Sequence, residues 1–249
     1  METYILTCTF IFGTILGSFF NVVIWRTPRH ESIVVGSSHC PSCNTPIKPY
    51  DLIPILSYIF LLGKCRACGT KISVRYPLIE ALTGLLFTLV VARFGLTVTT
   101  LINLIFTSVL ILITMIDIDT MEISDLWIFT ILGLAVANLF VTPYPIMDHI
   151  LGGLIISIPF LIIAWLTQGL GGGDIKLMMA AGLLLAYPST LVSFFIASIT
   201  GGLYAAYLLI FKHSNRKMAI PFGPFLCLGL YISLLYGPEL IYWYISTMF

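Results

Sequence analysis

Asp117 stands at the end of a long apolar run, Ile111-Leu112-Ile113-Thr114-Met115-Ile116-Asp117-Ile118-Asp119. Asp174 stands at the start of another, in Gly169-Leu170-Gly171-Gly172-Gly173-Asp174-Ile175-Lys176. An ionisable group near hydrocarbon is costly unless it is paired or watered, so each of these residues is a functional candidate by default. Together they make a candidate proteolytic dyad. One carboxylate accepts a proton from water while that water attacks an amide carbonyl; the other carboxyl group, protonated, polarises the carbonyl. Two carboxylates held close together cannot easily both ionise, so they share a proton and titrate in separated steps. The consecutive glycines beside Asp174 carry little bulk, which lets an extended substrate backbone approach closely.

Both acids have plainer readings. Asp119, Glu122 and Asp125 share the loop that follows Asp117. All four could simply face water, with Asp125 capping the next helix. Asp174 could be an N-cap or a first-turn acid favoured by the helix dipole. The short G-x-G-D string is weak evidence alone and gains weight from a second acid at the same membrane face.

A second constellation is sulfur-based. Cys40-Pro41-Ser42-Cys43 and Cys65-Arg66-Ala67-Cys68 are two C-x-x-C knuckles separated by 21 residues. Each knuckle can present two thiolates from one tight turn, and a facing pair makes a tetrahedral cage for zinc. The gap slightly exceeds the usual zinc-ribbon spacing of roughly 15–20 residues. Asn44 and Gly69 follow the second cysteine of each knuckle, and both residue types accept the positive φ such turns often need. Four protein ligands close the site, so the zinc is expected to be structural. Disulfides, disfavoured if the loop is cytoplasmic, and idle thiols are the competing readings. His39 is not needed as a ligand. Cys8 and Cys227 lie within apolar runs and are expected to be small core residues.

Long apolar helices must position these groups. The 249 residues are 59% hydrophobic and only 9% charged, whereas a soluble domain carries about a quarter charged residues. This composition excludes an ordinary soluble domain and predicts an all-α polytopic membrane protein. Eight apolar segments are expected, at about 4–25, 77–94, 97–116, 126–141, 150–167, 177–187, 191–211 and 222–248. The sixth is short enough to be a half-span or broken helix, tolerated in a membrane only where protein or water covers the backbone. Gly223-Pro224 and Gly237-Pro238 predict a kinked or delayed last span.

Charge orients the bundle. Arg26, Arg29, Lys48, Lys64, Arg66, Lys71 and Arg75 lie between the first two spans, and Lys212, Arg216 and Lys217 precede the last. Lys176 follows the fifth span, and only Arg93 falls in a loop of opposite parity. Basic loops stay cytoplasmic. Eight spans then put both chain ends outside and both aspartates at the cytoplasmic ends of their helices. The first segment lacks a basic n-region and a small-residue cleavage site, so it is expected to be a retained span. Residues 27–76 form the one long polar stretch, within which Leu52–Leu62 is apolar and suited to an interfacial helix. The formal net charge of +1 says little about partners.

The chain also resembles the bacterial prepilin peptidases, bifunctional GxGD aspartic membrane proteases of type IV pili and type II secretion. Gly17-Ser18-Phe19-Phe20-Asn21-Val22-Val23-Ile24-Trp25-Arg26 is similar to that family's G-S-F-x-N-V-x-I-x-R opening, and the paired knuckles follow in the right place. Arg75-Tyr76-Pro77-Leu78-Ile79-Glu80-Ala81-Leu82-Thr83 resembles R-Y-P-x-x-E-x-x-T. Ile116-Asp117 with Ile123-Ser124-Asp125 resembles I-D followed by I-P-D. Gly171-Gly172-Gly173-Asp174 matches G-x-G-D, and Pro221-Phe222-Gly223-Pro224 matches the late P-F-G-P. Ser124 departs from the usual proline, which is expected to loosen the start of the fourth span.

The resemblance implies Asp117 and Asp174 as the catalytic aspartates; preference for Asp117 over Asp119 rests on that spacing. It implies cleavage of a short basic leader from type IV pilin-like precursors, then N-methylation of the new amine with S-adenosylmethionine as donor. The donor's site is not assigned: Gly63, Lys64, Asn21 and Glu80 are weak candidates, and turn, capping or bundle-contact roles are the stronger reading of each. Three regions are expected: residues 1–26 as the first span, 27–76 as a cytoplasmic zinc-binding lobe and methyltransferase region, and 77–249 as the peptidase bundle. Expected partners are pilin-like precursors and membrane lipid, not nucleic acid, in the bacterial inner membrane with lobe and dyad on the cytoplasmic side. Two rivals remain at this stage: an ion-coupled transporter using the aspartates as ligands, and a noncatalytic assembly subunit docking through the lobe.

Overall fold

A computed structural model describes residues 2–167, 169, 171–211 and 220–248. Lys212, Arg216 and Lys217, which helped orient the chain, lie outside the described residues. Among those described, the structure is all helical, with two isolated β-bridges and no strand. It divides into two compact units, Met1–Leu96 and Thr97–Phe249.

The first unit pairs α1 (Glu2–Arg26) with α3 (Arg75–Phe94). Glycines permit the close approach. A Cβ at Gly13 would stand 2.7 Å from the Gly84 Cα, and one at Gly17 would stand 2.8 Å from the Glu80 Cα. Such small-residue seams let helices pack by backbone contact where water supplies no driving force. Because of this pairing, the helix that opens the segment expected to begin at residue 77 belongs to the first unit. Between the two helices lies the polar stretch, which contains the five-residue α2 (Leu56–Phe60). Leu56, Ile59, Phe60 and Leu62 are exposed there, as suits a piece resting on a membrane surface. Arg26 is buried at the end of α1 and donates to the carbonyls of Ser32, Val35 and Gly36 at 2.8, 3.1 and 3.1 Å, ordering the loop that leads to the first knuckle.

The second unit contains α4 (Val98–Thr120), α5 (Asp125–Asn138), α6 (Ile146–Ile155), α7 (Ser157–Thr167), α8 (Gly172–Leu185), α9 (Tyr187–Phe211) and α10 (Gly223–Met248). Its core is built on α4, where Phe106, Leu110 and Ile113 are buried. The fifth expected span is α6 and α7 joined, with a break at Ile156. Pro159 accounts for the break, since it has no N–H for the Ile155 carbonyl.

All eight apolar segments are helical, and among the described residues six helices are long and apolar enough to cross a membrane. The other two, α5 and α8, have 14 residues each, about 21 Å of helix against a hydrocarbon core of about 30 Å. The sixth segment starts earlier than expected, because Gly172 and Gly173 belong to the first turn of α8. Its other end is sealed by side chains. Asn138 Nδ2 donates to the Leu184 carbonyl at 3.0 Å, and His149 Nδ1 lies 2.8 Å from the Leu183 carbonyl. These contacts satisfy groups that a short helix leaves open inside a membrane. The last span is a single helix with Pro238 inside it, and Gly223-Pro224 forms its start.

Candidate active site and cysteine cluster

Asp117 lies in the last turn of α4, whose end is fixed by Met121 in the left-handed region, its amide donating to the Asp117 carbonyl at 2.8 Å. The Asp117 side chain is only 5% exposed. Its Oδ2 is buried without a hydrogen-bond partner. A buried acceptor of that kind calls for an explanation, and a reacting group or a water is one. Gly223, at the start of α10, closes over it: a Cβ there would stand 2.5 Å from Oδ2 and 3.0 Å from Cγ. The late glycine is therefore a steric requirement of the carboxylate's position.

Asp174 sits in the first turn of α8 and is half-buried, with Gly171 as N-cap. The two aspartates are close enough for the charge of Asp117 to act on Asp174. Both charges also reach the buried Cys227 of α10. The glycines divide the space around Asp174. A Cβ at Gly173 would stand 2.9 Å from the Ile123 side chain, whereas one at Gly172 would meet nothing within 4 Å. None of the three has positive φ, so it is their lack of bulk that matters. Gly173 admits the α4–α5 loop, and Gly172 leaves open space beside the acid.

The neighbouring acids separate by environment. Asp119 and Glu122 are exposed. Asp125 is also exposed and accepts from Lys176 Nζ at 2.6 Å, tying the start of α5 to the start of α8. The expected N-cap role of Asp125 is corrected: Ser124 caps α5, its hydroxyl accepting from the Leu126 amide at 3.4 Å. At φ −68° this position suits proline sterically, but serine adds an acceptor that proline lacks, so the substitution supports the helix start.

In the first unit the knuckles take matching conformations. The amides of Cys40 and Cys65 donate to the carbonyls of Thr45 and Thr70 at 3.0 and 2.8 Å, and those of Asn44 and Gly69 return to Cys40 and Cys65 at 2.8 and 2.9 Å. Asn44 and Gly69 have φ of 55° and 71°, as their residue types predict. The four sulfurs lie within 4.8 Å of one another, so the cluster could hold a metal ion. All four thiols are free. The hydroxyl and amide of Thr45 lower the Cys43 thiol, and those of Thr70 bring Cys68 down to about 6. Both favour the thiolate form that a metal requires. His39 is not part of the cluster. Cys227 is buried as expected, but Cys8 is exposed: it lies on an outward face of α1, away from the glycine seam.

Residues 104–206 match the model of the type IV leader peptidase family, and residues 11–94 match the bacterial peptidase A24 N-terminal domain. A prepilin leader peptidase/N-methyltransferase of Bacillus subtilis (strain 168) is 37% identical, covering 97% of this chain and 98% of the relative. The chain belongs to the type IV leader peptidase family. Proteins of the same name from Neisseria gonorrhoeae and Aeromonas salmonicida (strain A449) are 35% and 33% identical, over 86% and 96% of this chain and 84% and 93% of their own. No solved structure gives a significant match. The family's two matched regions fall one in each compact unit, with the cysteines in the first and both aspartates in the second.

Sequence reasoning missed the contact between Gly223 and Asp117. The Pro221-Phe222-Gly223-Pro224 string was visible, but nothing local relates it to an acid more than a hundred positions earlier.

Proposed function

We propose that this protein removes the leader from type IV pilin-like precursors and N-methylates the new amino terminus, with Asp117 and Asp174 as the catalytic pair. One of the two carboxylates takes a proton from water as its oxygen bonds to the scissile carbonyl carbon. The other, protonated, donates to the carbonyl oxygen. The carbon–nitrogen bond then breaks, and the departing amine leaves with a proton from the pair. The observation that carries this reading is the burial of the Asp117 carboxyl beneath Gly223 with its charge within reach of Asp174.

The protein works in the bacterial inner membrane, with dyad and lobe at the cytoplasmic face. The run of seven Lys and Arg from Arg26 to Arg75 supports that orientation. Cys40, Cys43, Cys65 and Cys68 hold one structural zinc ion, for which an all-thiolate, closed set is suited. After the first span at 1–26, residues 27–76 form the zinc lobe and methyltransferase region, and residues 77–249 form the peptidase bundle, of which α3 packs against α1 in the first unit and the dyad lies in the second. S-adenosylmethionine, when bound, supplies an activated methyl group for the freed amine.

The test is reconstitution of purified protein in lipid with a synthetic pilin-like precursor. Mass spectrometry should find the leader removed and, with the donor added, one methyl group on the new N-terminus. Intact precursor after prolonged incubation with folded protein would overturn the peptidase reading; cleaved product that never gains a methyl group would overturn the second activity alone.

A further inference from the structure

Asp174 lies in the first turn of α8, and the far end of that helix carries contacts that the chemistry above leaves unused. About 14 Å of helix axis separates Asp174 from Leu183. The chain that follows cannot satisfy the last carbonyls. Ala186 leaves the helix at φ 64°, and Pro188 has no N–H for the Leu184 carbonyl. Side chains from two other helices take over. Asn138, at the end of α5, donates to the Leu184 carbonyl at 3.0 Å, and His149 Nδ1 of α6 lies 2.8 Å from the Leu183 carbonyl. A carbonyl only accepts, so Nδ1 carries the proton. The ring is 1% exposed and its Nε2 has no hydrogen-bond partner among the described residues, so the Leu183 bond is what orients it.

Backbone contact fixes the same end. A Cβ at Gly152 of α6 would meet the Gly182 carbonyl and stand 2.7 Å from the carbonyl carbon of Ala186. Ala186 is fully buried at φ 64°, ψ 166°, a conformation that belongs to glycine. Such strain persists only where the surroundings over-determine the chain. The near end of α8 is held less firmly. Its Lys176–Asp125 pair is exposed, and exposed pairs contribute little. Gly173 against Ile123 bars closer approach without opposing withdrawal.

We propose that Asn138 and His149 are positioning residues for the peptidase. They fix the height of α8 in the bundle and so hold the Asp174 carboxyl at its working distance from Asp117. The inference rests on the peptidase reading above and adds to it two residues at the opposite end of the helix. A helix is stiff along its axis, so a shift at Leu183 reaches Asp174 nearly undiminished. Neither side chain touches substrate; both act through the carbonyls they hold.

Steady-state cleavage of a pilin-like precursor by the full-length protein in lipid tests this. His149→Phe fills the ring's space and removes the donor. Turnover should fall on the order of 10–10²-fold, as a misplacement of up to 1 Å would cause. KM should stay within about threefold of wild type, since no substrate contact is lost. The pH profile should change too. Two carboxyls that share a proton give separated limbs, and these should draw together when the pair is held less closely. A loss of folded protein lowers the rate without moving either limb. His149→Asn places an amide Nδ2 where the imidazole Nδ1 stood and should restore turnover to within about threefold of wild type. Unchanged turnover in His149→Phe, unmoved limbs, or no rescue by His149→Asn would overturn the inference and leave the peptidase reading standing. Should His149→Phe fail to fold, Asn138→Leu removes the other donor from a half-buried position. It should show the same split between turnover and KM, at smaller size, and wild-type kinetics there would overturn the inference. No cleavage by the wild-type protein would overturn both readings.

Discussion

The cysteine lobe and the aspartate site solve the same problem, holding reactive side chains at fixed distances, by different means. The lobe contains little regular structure: one five-residue α-helix, two short 3-10 helices at Thr27–Arg29 and Pro49–Leu52, the two knuckle turns and isolated bridges. Its order depends on local hydrogen bonds and the clamps made by Arg26 and by Arg66 on Asp51, and its four sulfurs are gathered closely enough to hold a metal ion. The aspartate site depends on helix packing. Asp117 and Asp174 sit on helix ends set by close approach: backbone to backbone at Gly152 and Gly182, and backbone to side chain at Gly173 against Ile123 and at Gly223 against Asp117 itself. Short-range chemistry builds the first region, and long-range packing builds the second. Substitutions should therefore propagate differently in the two.

The largest effect on leader cleavage should come from Asp117→Asn and Asp174→Asn. Each should lower the single-turnover rate by on the order of 10²–10⁴ or more, with helicity and metal content intact. Next is Gly223→Ala. The added methyl group must displace the Asp117 carboxylate or α10, and a misplacement near 1 Å can cost about 10²-fold. A rate in Gly223→Ala indistinguishable from wild type would break the claim that packing sets the dyad.

Cys40→Ser and Cys65→Ser sharpen the contrast from the other side. Both should lose bound metal in elemental analysis and expose residues 27–76 to protease, because the knuckles then share no ion. Methylation should fall much further than cleavage, since the dyad's packing contacts lie in the other unit. Unchanged zinc in both variants would end the metal assignment. The smallest effect belongs to Lys176→Met. The Lys176–Asp125 pair is exposed, so its loss should cost no more than about 1 kcal/mol in thermal unfolding and less at high salt.

Acid should act on the lobe by a separate route. The Arg66 guanidinium lowers the Asp51 carboxyl, so this pair's contribution is complete above the ordinary carboxylate range. It is lost only as pH falls below that range. Protease protection of the lobe should thus hold at neutral pH and fail on acidification, and Asp51→Asn should remove that acid-dependent step.

These differences also explain what the sequence revealed. Cys40, Cys43, Cys65 and Cys68 were legible because each knuckle is local: a two-residue spacing plus Asn44 or Gly69 specifies the turn. Asp117 and Asp174 were legible as anomalies, acids at the margins of apolar runs. The eight helical segments followed from composition, as did the shortness of the sixth, α8, but the way a short α8 is tolerated did not. It depends on Asn138 and His149 reaching carbonyls of α8 from 46 and 34 residues away. The contact of Gly223 with Asp117 and the bond from the Ile55 amide to Glu80 are tertiary in the same sense. The Ser124 cap was misread because the residue was compared with proline and not weighed for its own hydroxyl.

The most direct test is position. Asp117 and Asp119 are two residues apart, yet one is buried beneath Gly223 and the other is exposed. Single-turnover cleavage of a pilin-like precursor by Asp117→Asn and Asp119→Asn, each purified and confirmed as folded, separates them. The account predicts no detectable cleavage by the first and a rate near wild type for the second. Activity retained in Asp117→Asn and lost in Asp119→Asn would contradict it.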